Sequence, residues 1–332
     1  MWLAGRVSHL LSVLFGTSIA VFAMMWATPG DPVQVMLADQ RVTPEQVTAL
    51  RHEMGLDLSL PSRFASFLWR ALHGDFGRSF FHHRPVIGVI AERLPATIEL
   101  TLAASVIALL IGIPLGLYAG TRPGRPTDRI ASLGSLVGVS MPGFWLGLVL
   151  MLIFSVTLHL LPVSGRMGSG DEPPAVTHLL LLDSVLAGRP DMFATALRHL
   201  ILPSVTLALP MAAVLMQVTR TAVIDVMRAD YIVFAEAKGL ARRRILLLHV
   251  LKNALAPAVS VAAIEIGAML GGNMIVETIF SWPGVGRLVV QAIFDRNYPL
   301  VQAAVLLYAV FYAILNFAAD ILYALLNPRV AA

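Results

Sequence analysis

The sequence predicts an all-α polytopic membrane protein. Two observations carry that reading. Of its 332 residues 57% are hydrophobic and only 13% charged, against about 45–50% and about 25% in ordinary soluble domains. Six stretches also come close to the ~20 apolar residues a helix needs to cross the hydrocarbon. They are Val7–Ala27, Ala96–Ala119, Ile130–Val156, Leu200–Val218, Ala256–Phe280 and Gln302–Leu326.

The first stretch has the position of a signal peptide. Its apolar run is too long for a typical h-region, and no small-x-small cleavage site precedes the TPGDP turn, so a retained span is expected. Pro114, Pro142, Pro203 and Pro210 fall within or at the ends of spans. Neighbouring helices and hydroxyls satisfy the carbonyls that such prolines free. The segment Ala175–Gly188 is too short to cross and carries Asp183, so an interfacial or re-entrant helix is expected there.

Charge sets the direction. With the amino terminus in the cytoplasm, the inner loops carry Arg122, Arg125, Arg129, Arg220, Arg228, Lys238, Arg242, Arg243, Arg244 and Lys252. Arg6 and Arg329 at the termini bring the inner cations to twelve, against five in the short outer loops: Arg166, Arg189, Arg198, Arg287 and Arg296. The 28–95 loop exceeds about 60 residues and is exempt from the positive-inside rule. Both termini are thus expected in the cytoplasm. The net charge of +4 reflects these loops, and no nucleic-acid partner is expected.

Three regions follow: a first helix over 1–27, an extracytoplasmic loop over 28–95, and a core over 96–332 with five spans and a cytoplasmic loop at 219–255. Within the outer loop, TPEQVTALRHEMGL opens on Thr43 as a cap, with Pro44 in the first turn and Glu45 where the helix dipole favours an anion. PSRFASFLWRALHG places Phe64, Phe67, Leu68 and Leu72 on one face and ends at Gly74. Short amphipathic helices on the outer surface are expected. They either dock a partner or shape an outer vestibule.

Several chemistries are missing. The two lysines, Lys238 and Lys252, are followed by glycine and asparagine, so no Walker loop is present. No H-E-x-x-H or G-x-S-x-G motif occurs, and there are no cysteines. His82 and His83 read as a wet surface pair, and no metal site is expected. Nothing marks the chain as an enzyme.

Acids inside spans are costly and are functional candidates by default. Glu265 lies within the fifth predicted span, with Asn273 and Glu277 toward its outer end, and all three are candidates to line a translocation path. Two readings of Glu265 stand: it lines a polar translocation path, or it partners a group on a neighbouring helix. A self-sufficient ion- or proton-coupled carrier would use Glu265 directly. Glu99 and Asp320 lie nearer the interfaces, where a structural role is expected.

The cytoplasmic segment YIVFAEAKGLARRRILLLHVLKNALAP is basic and helical in pattern. Asp230 is placed to cap a short helix. Tyr231, Phe234, Ala235 and Lys238 share one side, and Gly239 permits a left-handed exit. A second helix would carry Ile245, Leu248, Leu251 and Leu255 as a stripe. The triplet Arg242–Arg244 opposes the macrodipole at its amino end. A lipid headgroup or an acidic partner would explain the triplet, and so would a helix that only sets topology.

This segment resembles the cytoplasmic loop of bacterial ABC importer permeases, in which an E-A-A-x3-G pattern forms a coupling helix. Gly239 and Ala235 fit that pattern, while Val233 and Phe234 occupy the first two positions. The likeness is closer to the dipeptide/oligopeptide branch. Asp230-Tyr231, Ala237-Lys238-Gly239-Leu240 and His249, Leu251, Lys252, Asn253, Ala254, Leu255 and Pro257 follow its version, and Glu236 stands where that branch is often basic. TPGDP (28–32), GDFGRS (74–79), RLPATIEL (93–100), RPGRPTDR (122–129), MPGFWLG (141–147), LPVSGR (161–166), PGVGRL (283–288), YPLVQ (298–302) and NPR (327–329) resemble family motifs in order. The long first outer loop resembles that of the first of two permease subunits.

The resemblance implies a type I permease fold of six transmembrane helices in the bacterial inner membrane. It implies partners: a second, homologous permease forming a heterodimer, two ATPase subunits that hold ATP and magnesium, and an extracytoplasmic substrate-binding protein. It implies that Tyr231, Phe234, Ala235, Glu236, Ala237, Lys238, Gly239 and Leu240 contact the ATPase. Di- and oligopeptides are the implied cargo, though relatives handle nickel, glutathione or opine-like molecules.

Overall fold

A computed structural model describes residues 2–27, 33, 44–53, 57–79, 81–168 and 173–326. Among these the structure is helical, with one isolated bridge between Arg78 and Pro85. The Thr43 cap, the TPGDP turn and the NPR motif lie outside the described residues.

Helix α1 spans Trp2–Ala27. Two short helices follow, α2 (Pro44–Glu53) and α3 (Leu60–Leu72). Then come α4 (Val86–Gly120), α5 (Pro126–Ser140) and α6 (Gly143–Met151), the last running on as a π-helical turn over Leu152–Thr157. After the short α7 (Leu180–Leu186) comes the long α8 (Pro190–Met227), followed by α9 (Asp230–Ala237). Arg242–Arg244, a π-helical turn over Ile245–Val250 and Leu251–Gly272 run on as one helix, α10. The chain closes with α11 (Met274–Ile279), α12 (Val285–Phe294) and α13 (Tyr298–Leu326).

Four described helices are long and apolar enough to cross a bilayer, and a bent pair would be a fifth. The described apolar stretch of α1 is Leu10–Met24. The boundaries depart from the expected spans in several places; α8, for one, outruns the expected Leu200–Val218 at both ends. α4 starts at Val86, ten residues before Ala96, because Pro85 opens a helix where the charge-rich stretch to Arg93 had concealed it. The third expected span is broken between α5 and α6 by a bend of 102°. Met141 there is extended, with φ −81° and ψ 126°; the ring of Pro142 disfavours helical geometry in the residue before it. The fifth begins at Arg242 rather than Ala256 and stops at Gly272, so Glu277 sits on a separate short helix. Hydropathy ends where charge begins, but arginine and leucine are good helix formers and carry the backbone on.

The longest seam joins α4 to α8. Gly112, Gly116 and Gly120 lie one turn apart on α4, and a Cβ at Gly116 would stand 2.6 Å from the Met216 carbonyl and 2.7 Å from Thr219 Cβ. Only a bare backbone fits, and close approach between membrane helices is driven by such small residues. Ala104, Ala108, Ala208 and Ala212 continue the seam. α13 packs on α10 and on α1.

The segment Ala175–Gly188 contains only the seven-residue α7, in keeping with a helix too short to cross. Asp183 is buried there and accepts from Thr177 N (2.8 Å), Thr177 Oγ1 (2.7 Å) and Val176 N (3.3 Å). Burial alone would raise its carboxyl, but these donors outweigh burial and hold it below its ordinary value.

Candidate functional site

Helix α9 is a two-faced clip. Ile232 (1% exposed) and Ala235 are buried against Val223, Ile245, Val250 and Ala254. The opposite face presents Tyr231, Val233 and Phe234 to the exterior, Phe234 being 60% exposed. Lys238 Nζ lies 4.4 Å from the Phe234 ring centre, and Asn253 Nδ2 of α10 donates to Tyr231 Oη at 3.2 Å. Gly239 adopts φ +72° with open space where a Cβ would project. The helix is closed by Gly239 N donating to Glu236 O (2.9 Å).

Three local expectations change. Asp230 is the first helical residue rather than the cap, which is Ala229 and makes no side-chain hydrogen bond. Ala235 does not share the exposed side with Tyr231 and Phe234, because it packs inward; Leu240 is half-buried on the same cluster. Glu236, Ala237, Lys238 and Gly239 stay exposed. The expected stripe Ile245, Leu248, Leu251, Leu255 is replaced by Ile245, Val250 and Ala254, while Leu248 is exposed. The π-helical turn inserts one extra residue, so the inward face advances by five positions before the α spacing resumes.

An ion pair absent from the sequence reading fixes the neighbouring loop. Arg220 of α8 grips Asp128 with two hydrogen bonds, that from Nη2 being 2.9 Å long. Gly124 N donates to Asp128 Oδ2 at 2.8 Å. The RPGRPTDR turn is thereby tied to the helix that leads into α9.

At the other end, RLPATIEL and the FSWPGVG turn interlock. Glu277 is fully buried (0% exposed); its Oε1 accepts from Thr97 Oγ1 at 2.7 Å and its Oε2 from Arg287 N at 3.0 Å. Val285 N donates to Thr97 Oγ1 (2.9 Å), and Trp282 Nε1 to Ala96 O (2.8 Å). Gly284 and Gly286 leave room for the carboxylate, which a Cβ at either would strike. Asn273 Nδ2 donates to Thr101 Oγ1 at 2.9 Å. Phe280 and Trp282 are buried, so the turn is a lock between α4 and α11–α12.

Glu99 has the structural partner its position suggested. Arg166 donates to it from Nε (3.0 Å) and Nη2 (2.6 Å), and Leu181 N donates at 2.8 Å. Glu265, by contrast, is half-buried and makes no hydrogen bond or ion pair among the described residues. The structure does not bring Glu265, Asn273 and Glu277 into one cluster: the last two are enclosed in the outer lock. His82 and His83 are exposed, and among the described residues no group of three or more His, Cys, Asp or Glu is placed to hold a metal ion.

The described residues form an all-helical bundle with apolar helices long enough to cross a membrane, a broken third span and the α9 clip, and sequence comparison gives the chain's family. Residues 112–332 match the binding-protein-dependent transport system inner membrane component family and residues 1–101 its N-terminal companion; the chain belongs to this family of ABC importer permeases. It is 39% identical over 329 residues to the di/tripeptide transport system permease protein DppB of Pseudomonas aeruginosa (99% of this chain, 98% of that one). It is 37% identical over 328 residues to the dipeptide transport system permease protein DppB of Escherichia coli K12 (98% and 97%). It is 34% identical over 325 residues to the glutathione transport system permease protein GsiC of E. coli O1:K1 (98% and 97%). An inward-facing structure of the MetNI methionine ABC transporter shares the fold, with TM-score 0.52 and 17% identity over 73% of this chain and 97% of that one. These findings favour the importer over a self-sufficient carrier.

Proposed function

We propose that this chain forms half of the path by which an ATP-driven importer moves di- or oligopeptides across the bacterial inner membrane. The observation that carries the coupling role is α9. Its inner face is riveted to α8 and α10, and its outer face leaves Tyr231, Val233 and Phe234 uncovered. A push on that face is transmitted directly to two long helices. Tyr231, Phe234, Glu236, Ala237, Lys238 and Gly239 form the contact, and Ala235 and Leu240 hold it from behind. Two ATPase subunits, which bind ATP and magnesium, would supply the push. A homologous permease would complete the path and an extracytoplasmic binding protein would deliver cargo. Both termini lie in the cytoplasm in this reading.

Alternating access is a two-state equilibrium biased by partners that prefer one state. Glu265, which makes no hydrogen bond or ion pair among the described residues, is assigned to the path; Asn273 and Glu277 fasten its outer end. The peptide cargo rests on the named relatives, of which the two most similar described above handle di- and tripeptides.

The test is reconstitution in liposomes with the ATPase subunits, the second permease and the binding protein. Uptake of a labelled dipeptide should require ATP and every subunit. Uptake by the isolated chain, or ATP-dependent uptake of glutathione but not of dipeptides, would overturn the proposed assembly or the proposed cargo respectively.

A further inference from the structure

The amphipathic helix α3 has no buried residue, although Leu60, Phe64, Phe67, Leu68 and Leu72 lie along one side of it. Among the described residues its only ring contacts outside itself are with α1. Phe64 meets Phe15 edge-on at 6.0 Å and Phe22 at 5.3 Å, and Phe67 meets Phe22 at 6.0 Å.

The position of those contacts along α1 sets a depth. At 1.5 Å per residue, Phe22 lies about 7 Å and Phe15 about 18 Å below the Ala27 end of the helix. A 26-residue helix is about 39 Å long against a hydrocarbon core of about 30 Å. Centred in the bilayer, α1 therefore places Phe22 just inside the hydrocarbon boundary and Phe15 near its middle. Phe64, wedged between the two, lies below the headgroups.

We propose that α3 is an interfacial helix seated in the lipid leaflet at the Ala27 end of α1, with acyl chains covering the part of its apolar side that α1 leaves bare. The occupant is lipid because the uncovered surface is continuous with that of α1, where Leu11, Phe15 and Ile19 are exposed on an apolar membrane helix. Leu72, 73% exposed, extends that surface. Ser62 and Arg70 occupy the opposite side. This is the arrangement of a helix lying in the membrane plane, apolar side down. Such a seat fixes the height of the long loop above the bilayer. The inference rests on α1 crossing the membrane and is independent of the cargo.

The chain has no cysteine, so single-cysteine labelling tests the proposal directly. Leu72→Cys and Ser62→Cys, each exposed and removing no buried contact, are spin-labelled in the full chain with its co-expressed subunits. The complex is placed in phosphatidylethanolamine/phosphatidylglycerol nanodiscs. Collisions with oxygen and with a water-soluble nickel chelate are then read. The expected result is strong oxygen and weak nickel collision at position 72, and the reverse at position 62. Strong nickel collision at both positions would place the helix in water and overturn the proposal. Exclusion of both reagents at position 72 would mean that protein covers that side, which also overturns it.

Discussion

The hydroxyl of Thr97 lies 2.7 Å from the carboxylate of Glu277, 180 residues away in the chain. That contact joins α4 to the short helix α11, and both groups are buried. Thr97 is both donor to Glu277 and acceptor from Val285 N. One side chain thus satisfies two buried groups.

Thr97→Val preserves shape and removes both bonds. Leaving buried polar groups unpaired costs about 1–3 kcal/mol each, so the unfolding midpoint of the purified complex in detergent should fall clearly. Thr97→Ser should restore most of it. A valine variant that melts with the wild type would show that the lock contributes little.

Gly116→Ala places a methyl 2.6 Å from the Met216 carbonyl oxygen. Overpacking of this kind costs about 1–3 kcal/mol. Gly134→Ala, where nothing lies within 4 Å, is the neutral control. Equal yield and thermal stability of the two variants would contradict the seam geometry.

Gly239 has room for a side chain but a backbone that side chains resist. Left-handed geometry costs an L-residue about 1–2 kcal/mol, and β-branched residues resist it most. Gly239→Val should leave membrane insertion intact while ATP hydrolysis ceases to drive uptake. Gly239→Asn should retain more coupling. Normal dipeptide uptake by the valine variant would count against α9 as the coupling element.

Asp183 supplies a pH dependence. Its folded carboxyl sits below its ordinary value, so the charged form is favoured by folding. The stabilisation is present above the unfolded value, about 3.9 for aspartate, and is lost as pH falls through the lower, folded value. The protection of the Val176 and Thr177 amides, measured against their intrinsic exchange rate at each pH, should fall on acidification into that range, and Asp183→Asn should remove this pH dependence. Unchanged protection on acidification would mean that other contacts hold the segment.

Glu265 separates path from scaffold. Glu265→Gln keeps volume and removes charge. The path reading expects altered uptake with unchanged protein abundance and thermal stability. Reduced abundance with normal uptake per molecule would return Glu265 to a structural role.

The helices, α9 among them, were largely legible in the sequence because hydropathy and helical spacing are local properties. The π-helical turn at Ile245–Val250 was not, since one inserted residue leaves composition unchanged yet moves the inward face from Leu248 to Val250. The break before Pro142 had its signal in the proline, which a membrane span tolerates as readily as it bends there. The Arg220–Asp128 pair joins residues 92 positions apart, and no local pattern pairs them.

The sequence by itself determined that this chain lives in a bilayer, that it is helical, and that it carries a basic segment, Tyr231–Pro257, between two long apolar runs. Each follows from nearest-neighbour chemistry: apolar run length, residue spacing and charge counts. Tertiary structure alone decided that Ala235 faces inward while Phe234 faces out, that Glu277 is enclosed by Thr97 and the backbone beside Gly286, and that Phe64 reaches Phe15. Those outcomes depend on which helix surfaces meet, and helix contact is set by packing between segments far apart in the chain.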